Sequence, residues 1–131
     1  LEPLRGYLWL AKALQEGLVD DGDSFNFGPT TAANKNVDSL VQCLGRHLQG
    51  LQVKFERGAT PEYESELLAL DSTKAYRMLG WDQILTFEES VMMVARWYKV
   101  VLEGEAEINA YKSDINTYLG YKAKEGLICF P

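Results

Sequence analysis

The side chains with potential chemistry are few and scattered. Cys43 and His47 lie one helical turn apart on a segment of helical pattern, a spacing that can put both on one face toward a metal ion. A structural zinc needs about four ligands. His47 is the single histidine, so a buried cysteine beside a surface or hydrogen-bonded histidine is the better reading, and no metal is assigned. Arg57 sits beside Gly58 in a loop, where a guanidinium can reach into a cleft, and Glu64 follows shortly after. Arginine suits phosphate, and a carboxylate suits the vicinal hydroxyls of a sugar. A pair of solvated loop ions is the alternative for both. Asp71 and Lys74 open a short helical segment, where aspartate more often serves as a cap or dipole partner. No phosphate loop of the G-x-x-x-x-G-K-S/T kind is present.

The elements that must hold these residues can be read from periodicity. Leu4, Leu8, Ala11 (or Leu10) and Leu14 recur at helical spacing over residues 3–16, with Gly17 as a stop. Residues 24–27 read as a short buried strand closed by Gly28-Pro29. In the Phe-Asn-Phe-Gly run, Asn26 is expected to satisfy loop backbone groups while both phenylalanines pack inward. Asn36 or Asp38 can cap a second helix that ends at Gly50. Residues 52–56 alternate like a half-buried strand, and 67–70 read as another.

Ser72 and Gly80 bracket a two-turn helix as cap and left-handed stop. Thr86 and Glu89 have the spacing of a capping box for a longer helix over residues 87–102. That helix is expected to bury Val91, Val94, Ala95, Tyr98 and Val101 or Leu102, with Met92 and Met93 as filler. Ser113 is a candidate cap for a last helix through Ile115 and Tyr118. Trp81, Trp97 and Tyr98 read as core or interface aromatics, and Trp9 as packing against a part of the protein outside this chain.

The 131 residues suffice for one domain with a core. With 47% hydrophobic and 24% charged residues, the composition is that of a soluble domain. A net charge of −6 argues against a nucleic-acid surface. No run of about 18 apolar residues marks a membrane span, and no secretory leader is visible. Cys43 and Cys129 form no disulfide or metal pattern, so a reducing cytoplasm is expected. Helices outnumber the short strands, and the expected fold class is α+β, a small helix-rich lobe. Because the chain opens on Leu1 in a helical pattern, it is expected to be a piece of a longer protein.

Strand, capped short helix, Leu79-Gly80-Trp81 and a long helix carrying Trp97-Tyr98 together resemble the C-terminal region of extended short-chain dehydrogenase/reductases acting on nucleotide sugars. Leu1-Glu2-Pro3-Leu4-Arg5-Gly6-Tyr7-Leu8 and Phe25-Asn26-Phe27-Gly28-Pro29 are most similar to the CDP-glucose 4,6-dehydratase group. The resemblance implies a substrate-binding lobe that was cut from a Rossmann-type NAD domain and has exposed apolar surface where that domain docks. It implies a nucleotide-sugar substrate, NAD bound outside this chain, an NAD-dependent lyase as the whole enzyme, and a homo-oligomer.

By the same resemblance Arg57 contacts the diphosphate and Glu64 the nucleoside, while Tyr63 stands where these dehydratases commonly carry histidine. Tyr118 and Lys122 match the family's Tyr-x-x-x-Lys spacing, but nothing upstream resembles its active-site strand. Tyr118 therefore reads as a packing residue of the last helix, and no catalytic residue is assigned. The glycines form no dinucleotide turn. Another nucleotide-sugar epimerase or dehydratase using a GDP, UDP or dTDP sugar is the alternative within the enzyme class. A stand-alone, non-catalytic binding module is the alternative outside it.

Overall fold

The structure, a computed structural model, describes residues 1–30, 35–54, 69–104 and 106–124. Among these residues there are five helices and no strand: α1 (Glu2–Gln15), α2 (Val37–His47), α3 (Thr73–Leu79), α4 (Phe87–Leu102) and α5 (Glu107–Lys124). This corrects the α+β expectation; the described domain is all-helical. Among the described residues, the segments expected as strands have no pairing partner. Residues 24–27, 52–54 and 69–70 are irregular, whereas 55–56 and 67–68 lie outside the described residues. Alternation of apolar residues places side chains, but a strand also needs a neighbouring ladder for its N–H and C=O groups. Phe25 and Phe27 do reach the core, without that ladder.

Several sequence signals act as expected. Asn36 caps α2 by accepting from the Ser39 amide at 2.9 Å. Thr86 and Glu89 form the reciprocal capping box of α4. Gly80 ends α3 at φ +61°, so that the Gly80 and Trp81 amides donate back to Tyr76 and Ala75. The start of α3 differs from expectation. Asp71 Oδ1 accepts from the Thr73 amide, while the Ser72 hydroxyl turns to Gly28. The last helix begins at Glu107, six residues before Ser113.

Two apolar clusters form the core. Trp9, Ala13, Val19, Phe27, Ala75, Leu79 and Trp81 make the first, where α1 packs on α3. Ile84, Leu85, Met93 and Tyr118 make the second, between the 81–85 loop, α4 and α5. Cys43 is the buried residue of α2, which packs on α4. His47 is exposed. Trp9 lies inside the first cluster rather than facing outward.

The inward face of α1 is Arg5, Gly6, Trp9 and Ala13. The leucine face points the other way, with Leu4 57% and Leu8 69% exposed. On α4, Val91, Met93 and Ala95 are buried, but Val94, Tyr98 and Leu102 are exposed. Apolar periodicity identifies a helix, yet it does not say which of two apolar faces is covered.

A polar knot joins the two clusters. Arg5 is only 9% exposed. Its guanidinium lies 4.9 Å from the ring centre of Trp9 and 5.6 Å from that of Trp81. It donates to the Tyr118 hydroxyl at 3.0 Å and to the Asp82 carbonyl, and it pairs with Glu2. Glu2 Oε1 accepts from the Ile84 and Leu85 amides at 2.8 and 2.7 Å, and Oε2 accepts from the Tyr118 hydroxyl at 2.8 Å. One ion pair therefore satisfies a tight loop and anchors α5.

Two substitutions test this packing. Glu2→Ala leaves two loop amides and a buried guanidinium short of an acceptor, and should cost about 3 kcal/mol in urea denaturation. A loss under about 0.5 kcal/mol, typical of surface positions, would mean that the knot does not hold the loop. Gly6→Ala would put a Cβ 2.4 Å from the Phe27 ring. It should destabilise by about 1–3 kcal/mol, although helix propensity alone predicts a gain of about 1 kcal/mol. A more stable alanine variant would show that α1 and Phe27 do not meet this closely.

Candidate functional site

A polar concavity forms where two irregular segments run side by side. Gly28 permits the approach, since a Cβ there would meet Leu70 Cβ at 2.9 Å. The Ser72 hydroxyl closes the seam, accepting from the Gly28 amide at 2.9 Å and donating to the Gly28 carbonyl at 3.2 Å. Asn26 donates to the Asp71 carbonyl, as expected of a loop-satisfying asparagine, and the Thr30 amide reaches the Gln83 side chain. Side chains here do the work that a β ladder would otherwise do.

Around this seam lies a cleft of about 360 Å³, lined by Gly28, Pro29, Thr30, Ala69, Leu70, Asp71, Ser72, Thr73, Tyr76, Trp81 and Asp82. Its chemistry is that of carboxylates and hydroxyls. Asp71 and Asp82 each use one carboxylate oxygen on a neighbouring amide, Thr73 and Gln83 respectively. The second oxygen of Asp82 suits a hydroxyl donor from a ligand. The Thr73 hydroxyl and amide hold the Asp71 carboxyl below its ordinary pKa of 3.8, so it is an acceptor at neutral pH. Trp81 is 2% exposed and contributes wall rather than a stacking face.

The other sequence candidates have clear positions where they can be seen. Lys74 pairs with Asp23 and lies 4.5 Å from the centre of the Phe25 ring. Tyr118 is the anchor of the polar knot. Burial, and then the Glu2 carboxylate, push its pKa above the ordinary 10.0. Its hydroxyl is taken up on both sides, accepting from Arg5 and donating to Glu2. The Lys122 side chain lies outside what is described, as do Arg57, Tyr63 and Glu64. Among the described residues no group of three or more His, Cys, Asp or Glu could hold a metal ion, and no helix is long and apolar enough to cross a membrane.

A second concavity of about 610 Å³ opens between the start of α1, α4 and α5. It is mostly apolar, lined by Pro3, Leu4, Leu85, Met93, Val94, Trp97, Tyr111 and Ile115, with Glu2 and Asp114 at its edges. Both carboxylates are engaged, Glu2 in the knot and Asp114 with Arg96. The sequence reading missed the Glu2–Arg5 pair; its only trace was opposite charges three residues apart on a helix.

No family model and no solved structure matches the chain. The chain is similar to a curated CDP-glucose 4,6-dehydratase. That protein, from Salmonella typhimurium strain LT2, is 29% identical over 119 residues. The match covers 91% of this chain and 33% of the relative, so the chain spans about a third of its relative's length. The resemblance carried by Leu1–Leu8 and Phe25–Pro29 thus has support along nearly the whole sequence.

Two pH experiments follow from the site. The raised Tyr118 pKa gives a stabilising contribution that is complete below about pH 10 and is lost as pH rises through the folded value. Tyr118→Phe should cost about 1 kcal/mol at neutral pH and show a shallower alkaline loss of melting temperature than the unsubstituted chain. Equal alkaline slopes would contradict the buried hydroxyl. The depressed Asp71 pKa acts at the other end. Its contribution is present above the ordinary value of 3.8 and lost as pH falls through the folded one. Asp71→Asn should therefore lower the melting temperature at neutral pH, with the gap closing in acid; a constant gap would mean that the charge plays no part.

Proposed function

We propose that this chain is the C-terminal, substrate-binding part of an NAD-dependent CDP-glucose 4,6-dehydratase, a lyase that forms CDP-4-keto-6-deoxyglucose and water. The observation that carries this reading is the similarity over 91% of the chain to a dehydratase three times the matched length. Bound to the rest of such a polypeptide, NAD supplies the hydride acceptor for the sugar. The described residues offer no strand–turn–helix for a dinucleotide pyrophosphate, and under this reading that site belongs to a Rossmann-type domain outside the chain. Alone, the chain is expected to be inactive.

The work left to this chain is binding and orientation. The reading gives Arg57 the diphosphate, where a guanidinium forms paired charge-assisted bonds. It gives Glu64 the nucleoside, and it counts Tyr63, at the position where these dehydratases commonly carry histidine, among the substrate-binding residues. Glu64 is five residues from Ala69, so chain length keeps it within about 18 Å of the polar cleft. Asp82 there suits sugar or ribose hydroxyls. The exposed leucine face of α1, Leu4, Leu8 and Leu14, suits docking of the dinucleotide domain, because a face cut from its neighbour leaves apolar surface in water. The reading also places the protein in the cytoplasm, where nucleotide sugars are used, and expects the whole enzyme to be a homo-oligomer.

Calorimetric titration of this chain with CDP-glucose, UDP-glucose and GDP-mannose tests the assignment. CDP-glucose is expected to bind in preference, and Arg57→Ala or Glu64→Ala to weaken it about tenfold or more, the loss of one charge-assisted bond. Preference for UDP-glucose or GDP-mannose would move the reading to another nucleotide-sugar enzyme. Binding that is indifferent to both substitutions would remove Arg57 and Glu64 from the site.

A further inference from the structure

We draw no further inference here: the strongest candidate, the apolar cleft of about 610 Å³ between α1, α4 and α5, runs into the α1 leucine face already given to the proposed dinucleotide domain, and nothing in the structure shows what else covers it.

Discussion

The fold depends on one buried ion pair at the start of its first helix. Glu2 and Arg5 lie where three parts of the chain meet, and each part turns polar groups toward them. The 81–85 loop turns too tightly for regular structure, so the Ile84 and Leu85 amides need an acceptor from elsewhere, and Glu2 Oε1 takes both. Tyr118 brings a hydroxyl into the second apolar cluster and needs both a donor and an acceptor there. Arg5 needs counter-charge and carbonyls before it can sit between two indole rings. Each requirement is met by another member of the knot. Such networks hold a structure together when fully satisfied and cost heavily when one member is lost.

That knot also fixes the relation between the two apolar clusters. Trp81 belongs to the first and Ile84 and Leu85 to the second, so the loop between them is the bridge. The Trp81 indole donates to the Glu2 carbonyl, which adds a second tie from loop to helix. The polar cleft lies on the far side of Trp81, with Asp82 at its rim. Its shape is set by the same loop. The shape of the cleft and the stability of the fold therefore share residues, and a change that loosens α1 reaches the cleft through Trp81.

Much of the helical framework was legible because its signals are local. A Thr-x-x-Glu box, an asparagine cap and a glycine in left-handed conformation act within one turn of helix, and all three appear where the sequence puts them. The failures are non-local. Residues 24–27 read as a short buried strand but have no neighbouring ladder among the described residues, and Ser72 can cap a helix yet finds a better partner in Gly28, far away in sequence. Which face of α1 is inward was not legible either. Leu4, Leu8 and Leu14 make the more apolar stripe, but Gly6 allows close approach to Phe27 on the other side. Of the candidate site, Asn26 and Asp71 were legible as loop and cap residues. The polar knot was not, since no pattern in one sequence connects Glu2 to Tyr118.

The division of surfaces bears on what kind of molecule this is. A self-sufficient domain ordinarily spends its largest side chains on its own core. Here Trp9, Phe27 and Trp81 are used that way, but Leu4 and Leu8 on α1, Val94 and Tyr98 on α4, and Ile115 and Leu119 on α5 remain in water. The polar cleft, by contrast, has its hydroxyls and carboxylates already arranged by short internal hydrogen bonds. Under the proposed reading, a polar cleft beside uncovered apolar helices suits a substrate-binding lobe, whose ligand contacts are its own and whose remaining burial comes from a neighbour. A stand-alone binding module would need the cleft and gain nothing from the open leucine face. Under the proposed reading, that asymmetry and the match to a third of a longer relative have one source, a neighbouring domain outside this chain.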